Sequence, residues 1–199
     1  MAKHLFAWVN NMVEKDIWRL IQSDLFRYSG QYSFKKLVKN LLLNGSFKYT
    51  FWFRLCEHPN VLLRSFARLN HRILSTRYNI SLPRGTEIGF GFYISHNMGI
   101  VVNRKTVIGN NVNISQFTTV GTNYQNAAVI GDNVYIGPNV NIIERVIIGN
   151  NSSLGAGSVV VDDVPEDATV AGVPAKLLNY ENPGRFVTSR WVKVDLSDT

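Results

Sequence analysis

An aliphatic residue recurs about every six positions between residues 80 and 164, and this repeat constrains the fold more than any other feature. Small or turn-forming residues follow many of these positions, as in Ile108-Gly109 and Ile136-Gly137. A short fixed period of this kind is the signature of a parallel β-helix, in which each six-residue unit forms one strand and one corner. Three units close a triangular coil of about eighteen residues, and no single coil can bury its own aliphatic face. Stability is therefore expected to come from contacts between successive coils.

The repeats predict three columns of inward-facing aliphatic residues, one for each side of the triangle. The members are Ile88, Ile108, Ile130 and Ile148 in the first column, Ile94, Ile114, Ile136 and Leu154 in the second, and Ile100, Val120, Ile142 and Val160 in the third. Two spacings are irregular, because Ile108 lies eight residues after Ile100 and Ile130 lies ten after Val120. Extra residues in a solenoid leave the core as loops, which often carry function.

The residues before the repeats differ from them in both periodicity and charge. Residues 1–79 contain thirteen Lys or Arg and four Asp or Glu, a net charge of +9, whereas residues 80–199 contain eight and ten, a net charge of −2. Apolar residues at three- and four-residue intervals predict helices over 13–28, 33–44, 46–57 and 60–76. We therefore expect an α-helical N-terminal domain over 1–79, a β-helix domain over 80–178 and a C-terminal tail over 179–199 that packs on a neighbouring subunit.

The basic first third is also rich in aromatic residues, and three interpretations of it remain open. One is a small helical cap whose charged face is only solvated. Another is attraction to an anionic membrane surface, because Lys35, Lys36 and Lys39 lie among aromatic residues such as Phe34 and Phe47. Nucleic-acid binding is the weakest, since no nucleic-acid motif accompanies the charge, and we expect no nucleic-acid partner.

Two features indicate where the protein works. No apolar run in the sequence reaches the length needed to span a bilayer. The single cysteine, Cys56, cannot form an internal disulfide, which fits a reducing compartment. We therefore expect a cytoplasmic protein, with the inner face of the membrane as the place where the basic helices would act.

The run 94–102, which reads ISHNMGIVV, and the run 171–176, which reads AGVPAK, resemble the serine acetyltransferase family. The resemblance covers residues 80–178 and is closer to the branch that acetylates capsule or colanic-acid exopolysaccharides. It implies a mainly β fold, a left-handed parallel β-helix of hexapeptide repeats preceded by a small helical domain. It also implies acetyl-CoA as co-substrate, no metal, and a homotrimer in which two subunits share each active site.

His96 is the candidate catalytic residue. It is the only histidine after residue 79, so a zinc site built from several histidines, as in β-helix carbonic anhydrases, is excluded. A lone surface imidazole would be the commoner explanation, but His96 follows the inward-facing Ile94 by two residues and matches the catalytic position of the family. Acetyl transfer from a thioester to an alcohol needs a base for the hydroxyl proton, and an imidazole suits that task.

The resemblance also indicates residues that would hold the substrates. Coenzyme A would lie along a groove between adjacent β-helices, where small corner residues admit its pantetheine arm and a lysine meets a phosphate: Gly121, Gly137, Pro138, Ala156, Ser158 and Lys176. Hexapeptide corners need glycine in any case, and that explanation is equally good for each glycine. The candidate acceptor-binding residues are Ser95, Asn97 and Asp24, and backbone N–H groups of residues 120–123 could stabilise an oxyanion.

Three positions depart from the pattern of the serine-specific enzymes. Those enzymes carry an Asp directly before the catalytic His and another fifteen residues before it, where this chain has Ser95 and Ser81. A further His of the family falls near Ala127. The main hypothesis is therefore acetyl transfer to a sugar hydroxyl in capsular or exopolysaccharide biosynthesis. Serine O-acetylation in cysteine biosynthesis is the alternative, and a non-catalytic β-helix scaffold is a third hypothesis from a different class.

Overall fold

A computed structural model describes residues 17–192 of the chain. The first part of this range forms four helices: α1 (Ile17–Ser29), α2 (Phe34–Leu43), α3 (Gly45–Leu55) and α4 (Val61–Tyr78). Three of them begin at a residue whose side chain accepts a hydrogen bond from a free backbone N–H of the first turn, and these residues are Ser33, Asn44 and Asn60. The predicted helical residues 13–16 lie outside the described range. None of the four helices is both long and apolar enough to cross a bilayer.

Residues 87–179 form fourteen short strands. They are β1 (Glu87–Ile88), β2 (Tyr93–Ile94), β3 (Val101–Val102), β4 (Val107–Ile108), β5 (Asn113–Ile114), β6 (Thr119–Gly121), β7 (Val129–Ile130), β8 (Tyr135–Ile136), β9 (Asn141–Ile143), β10 (Ile147–Ile148), β11 (Ser153–Leu154), β12 (Val159–Val160), β13 (Thr169–Gly172) and β14 (Ala175–Asn179).

Up to β12, each strand pairs in parallel with the strand three positions later in the chain, and β13 pairs with β11. This gives three sheets ordered β1-β4-β7-β10, β2-β5-β8-β11-β13 and β3-β6-β9-β12. The strand β14 then pairs antiparallel to β13. The predicted parallel β-helix of hexapeptide repeats, preceded by helices, is confirmed.

The aliphatic columns hold as predicted on two sides of the coil and differ on the third. The cross-strand partners include Ile88 with Ile108 and Ile94 with Ile114, all buried. On the third side Val120 pairs with Val102, so the prediction of Ile100 in this column was wrong. Ile100 is buried, but it lies before the strand. The two extra residues therefore lie between β2 and β3, in the segment that contains His96.

Stacked asparagines shape the edge between the first and second sheets. Asn111, Asn133 and Asn151 have φ values of 54°, 57° and 56°, in the left-handed region that asparagine tolerates better than most residues. The side-chain amide of each donates to the side-chain oxygen of the next residue in the column, at 3.3 Å and 3.0 Å, and Asn151 donates to Asp167 at 3.0 Å. This ladder fixes the corner geometry from coil to coil.

The helices close the N-terminal end of the β-helix through hydrogen bonds to the free backbone groups of its first coil. The guanidinium of Arg54 donates to the carbonyls of Ile88 and Gly89, at 2.8 Å and 2.6 Å. The carboxylate of Asp24 accepts from Arg54 at 2.9 Å and from the backbone N–H of Phe92 at 2.8 Å. An unpaired strand edge invites pairing with another chain, and these side chains occupy it instead.

The tail returns along the second sheet of its own chain. The backbone N–H of Trp191 donates to Asn111 and its carbonyl accepts from the same side chain, at 2.7 Å and 3.1 Å. The ring of Phe186 lies 4.7 Å from that of Tyr135, and Arg27 of α1 donates to the carbonyl of Thr188 at 3.1 Å. Up to residue 192 the tail therefore packs within the chain, and the expected contact with a neighbouring subunit stays a prediction.

We predict that Asp24→Asn lowers the free energy of unfolding by about 3–5 kcal/mol, because it leaves the buried guanidinium of Arg54 without its counter-charge. Urea unfolding monitored by circular dichroism measures the change. The control is Asp162→Asn, since Asp162 and Lys176 form an exposed pair at 3.9 Å, and its cost should stay below about 1 kcal/mol. Equal stability of the two variants would contradict the capping role of Asp24.

The stability of the chain should also decrease in mild acid because of His71. This imidazole is buried between Tyr49 and Phe53, and its Nε2 has no hydrogen-bond partner in the described part of the chain. Burial lowers its pKa from 6.5 to about 4. The unfolded chain binds the proton more tightly between those two pH values, so stability falls as pH falls through that window, by up to about 3 kcal/mol.

His71→Phe should flatten the pH dependence of unfolding between pH 7 and 4, as measured by urea titrations at several pH values. The His96→Phe variant keeps His71 and should keep the slope of the parent. A His71→Phe variant whose slope equals that of the parent would show that another group carries the effect.

Candidate active site

His96 lies in the widened corner between β2 and β3, on the edge where the second sheet meets the third. We call this edge the catalytic edge; it comprises residues 95–100, 115–118, 137–140 and 155–158. Hydrogen bonds to α4 and to the next coil hold the backbone of the corner that contains His96. The carbonyl of Tyr78, at the end of α4, accepts from the N–H of Gly99 at 3.1 Å, and the carbonyl of Met98 accepts from the N–H of Phe117 at 3.1 Å.

The imidazole itself is exposed, and among residues 17–192 it makes no side-chain hydrogen bond. Its neighbour Asn97 is half-buried and accepts a hydrogen bond at 3.2 Å from the hydroxyl of Ser46, at the start of α3. Ser95 is half-buried, and its N–H donates to the carbonyl of Ile114 at 2.9 Å. Ser95 and Asn97 therefore flank His96 as expected, while the imidazole is free to meet a ligand.

Four of the six residues predicted to bind coenzyme A lie on the catalytic edge above His96. Pro138 and Ala156 are accessible, and the carbonyl of Pro138 accepts from the N–H of Gly157 at 2.9 Å, which stacks the two corners. Gly137 and Ser158 instead have structural roles in the corners. A Cβ on Gly137 would lie 2.8 Å from the Leu154 carbonyl oxygen, and the Ser158 hydroxyl donates to the Gly155 carbonyl at 2.6 Å.

Gly121 and Lys176, the other two residues predicted to bind coenzyme A, lie elsewhere on the chain. Gly121 ends β6 at the opposite edge, where the third sheet returns to the first. Lys176 is on β14, where its ammonium approaches the carboxylate of Asp162 at 3.9 Å. Within one chain, therefore, neither residue adjoins His96.

Asp24 is placed away from any acceptor. Its side chain is 0% exposed, and both of its carboxylate oxygens are bonded to Arg54. An acceptor arriving from solvent could reach it only if α1 and α3 separated from the first coil. We therefore reassign Asp24 from acceptor binding to the closure of the coil.

The second insertion forms a compact loop at the edge that carries Gly121. The carboxylate of Glu144 accepts from the hydroxyl of Thr122 at 2.8 Å and from the N–H of Asn123 at 3.2 Å. The N–H of Asn123 is thus engaged and is not a free oxyanion donor within the chain. Tyr124, Gln125, Asn126, Glu144 and Arg145 line an open depression beside this loop.

Phe117 is a residue of the catalytic edge that sequence reasoning missed. It adopts a φ of 58°, which is uncommon for a bulky side chain, and half of its surface is exposed. The equivalent corners use Asn139 and Gly157, residues that accept this conformation more readily. Room for the ring comes from Gly99, where a Cβ would collide with it. Strained residues of this kind cluster at functional sites. An aromatic at a corner position otherwise held by Asn or Gly is the signal that could have revealed it.

Comparison with known proteins places the chain in a family. The family model described as bacterial transferase hexapeptide (six repeats) matches residues 127–162. The serine acetyltransferase of Bacillus licheniformis is 31% identical over 144 residues, which span 69% of this chain and 67% of that protein. The chain belongs to the serine acetyltransferase family. It is accordingly an acyltransferase.

Solved structures of this family match the fold. The serine acetyltransferase of Neisseria gonorrhoeae in complex with serine has a TM-score of 0.63 and 29% identity, covering 82% of this chain and 70% of that one. A serine acetyltransferase in complex with CoA has a TM-score of 0.67 and 28% identity, covering 84% and 71%.

Phe117→Asn should raise the free energy of unfolding by about 1 kcal/mol, because asparagine relieves the strain at this backbone conformation. Asn139→Phe is the matched control at the next corner and should lower the free energy of unfolding by a similar amount. If Phe117 serves the site, the stabilised variant should also turn over more slowly. Urea unfolding and thiol release from acetyl-CoA measure the two effects. A stabilised variant with unchanged turnover would leave Phe117 without a functional role.

Proposed function

We propose that this acetyltransferase transfers the acetyl group directly from acetyl-CoA to an alcohol, with His96 as the general base. The observation that carries the proposal is the exposed imidazole of His96 on the same edge as the accessible corners of Pro138 and Ala156. The hydroxyl proton passes to the imidazole as the oxygen attacks the thioester carbonyl, and the coenzyme A thiolate leaves.

A covalent acyl-enzyme is not needed in this scheme. The single cysteine of the chain, Cys56, is buried, its thiol donates to the carbonyl of Trp52 at 3.2 Å, and burial raises its pKa to about 11. A thiol of that kind is a poor nucleophile at neutral pH. Its reduced state also fits the cytoplasmic location that we propose.

We propose L-serine as the first acceptor to test. Support comes from the relatives, which include serine acetyltransferases and a solved complex with serine. A sugar hydroxyl is the second candidate, favoured by a specific observation. Ser95, directly before His96, and Ser81, which pairs with Val101 of β3, are neutral where the serine-specific enzymes carry Asp, so the chain lacks these acidic partners for an amino-acid acceptor. Met98 and Phe117 are instead exposed beside His96.

We further propose that the protein works as a homotrimer with shared sites. In one chain His96 lies on the catalytic edge, whereas Gly121 and the loop that follows it lie on a different edge. A neighbouring subunit could bring its own loop to the groove beside His96 and complete the site. Sedimentation equilibrium should give three times the mass of the chain; a monomer that turns over at full rate would contradict the shared site.

His96→Asn should lower kcat by about 10²–10⁴-fold without lowering stability, because it removes the base and leaves an exposed side chain of similar size. Thiol release from acetyl-CoA, assayed with L-serine, nucleotide sugars and glycan repeats in parallel, identifies the acceptor and measures the loss. His58→Asn is the control and should keep the parent's activity. A His96→Asn variant that is fully active would refute the role, and a parent that acetylates none of these acceptors would favour the scaffold hypothesis.

A further inference from the structure

The helix α4 exposes an apolar stripe along one of its faces. Leu62, Phe66, Leu69 and Ile73 are between 55% and 82% exposed. Their spacing of four, three and four residues aligns them along one face of the helix. The face that packs against α3 carries Ala67, Leu74 and other buried residues, and the ring of Phe66 also contacts that of Trp52 on α3, with 5.4 Å between the ring centroids. We call the four exposed residues the α4 stripe.

A second helix shows the same features. No residue of α2 is fully buried, and Phe34, Leu42 and Leu43 are at least 70% exposed. Single exposed apolar residues are ordinary on a soluble protein, but two helices that each expose a set of large apolar side chains indicate an interaction surface.

The charge around these residues is of one sign. Residues 17–79 contain eleven Lys or Arg and two Asp or Glu, and α2 and α4 contain no acidic residue. The two acids are engaged locally: Asp24 is buried with Arg54, and Glu57 lies 4.0 Å from Arg68. The basic residues on the two helices are Lys35, Lys36, Lys39, Arg64, Arg68, Arg72 and Arg77.

The exposed apolar residues and the positive charge of α2 and α4 together indicate the kind of partner. A second copy of the chain would bring like charges together along the same helices, which opposes association. A nucleic acid would satisfy the cations but would leave the large aliphatic side chains in water. The surface of an anionic membrane satisfies both, because the headgroups attract the cations while the boundary of the acyl chains accepts Leu, Ile and Phe.

We propose that α2 and α4 form a peripheral docking surface for anionic lipid bilayers, with the α4 stripe entering the interface. The helices lie on the membrane and do not cross it. The proposal does not depend on which acceptor is acetylated.

Co-sedimentation of the full-length chain with vesicles tests this surface. The probes are vesicles of phosphatidylcholine alone and of phosphatidylcholine with phosphatidylglycerol. We expect binding to the anionic vesicles that is at least tenfold stronger than to the neutral ones and that weakens with salt. Binding to neither vesicle, or equally to both, would overturn the proposal.

Two variants locate the contact. Leu62→Ser with Phe66→Ser removes half of the α4 stripe and should reduce binding at least tenfold, while circular dichroism confirms the fold. The double variant Lys35→Gln with Lys39→Gln should reduce binding to the anionic vesicles about fivefold for each cation removed. The control is Val173→Ser, which alters an exposed apolar residue of the β-helix and should bind like the parent. Unchanged vesicle binding by the first two variants would overturn the proposal. Acetyl transfer in the absence of vesicles is measured separately, so that failure of the proposed function and failure of docking are distinguishable.

Discussion

The open backbone of the first coil is the constraint on which the rest of the structure depends. Every later coil hydrogen-bonds to the coil below it, but the first coil has no such partner, and each unpaired peptide group would cost free energy if it were buried. Side chains from the helices replace the missing coil. Arg54 bonds to the carbonyls of the first strand, Asp24 to the N–H of Phe92, and the Tyr28 hydroxyl accepts from the N–H of Ile94 at 2.9 Å. The helical region is therefore the structural base of the β-helix.

The same base supports the site. Tyr28 is bonded at Ile94, two residues before His96, and Ser46 and Tyr78 hold Asn97 and Gly99 immediately after it. The widened corner that carries His96 thus lies where helices and β-helix meet, and its backbone is fixed from both. Catalysis benefits from such preorganisation, because a base held near its working position needs less rearrangement when the acceptor binds. No side chain within residues 17–192 is hydrogen-bonded to the imidazole itself, so its final orientation is left to the bound substrates or to a neighbouring subunit.

Much of this arrangement could be predicted from the sequence, and the reason is physical. A repeat of six residues has only one way to bury its aliphatic positions, so Ile88, Ile94 and their successors identified two sides of the triangle. The third side was misplaced because both Ile100 and Val102 are aliphatic, and spacing alone does not show which one pairs with Val120. The role of Asp24 could not be read either, since a buried ion pair depends on contacts between residues far apart in sequence. Phe117 was missed because the sequence shows an aromatic residue at a corner position otherwise held by Asn or Gly but does not show the positive φ that it adopts there.

The central claim is that one edge of the β-helix, from His96 upward, is where acetyl-CoA meets its acceptor. A crystal structure with bound coenzyme A tests it most directly. The pantetheine arm should run past Pro138 and Ala156, with the thiol within reach of the His96 imidazole. Coenzyme A bound in the depression beside Tyr124 and Glu144 with its thiol far from every His96 in the assembly would contradict the claim.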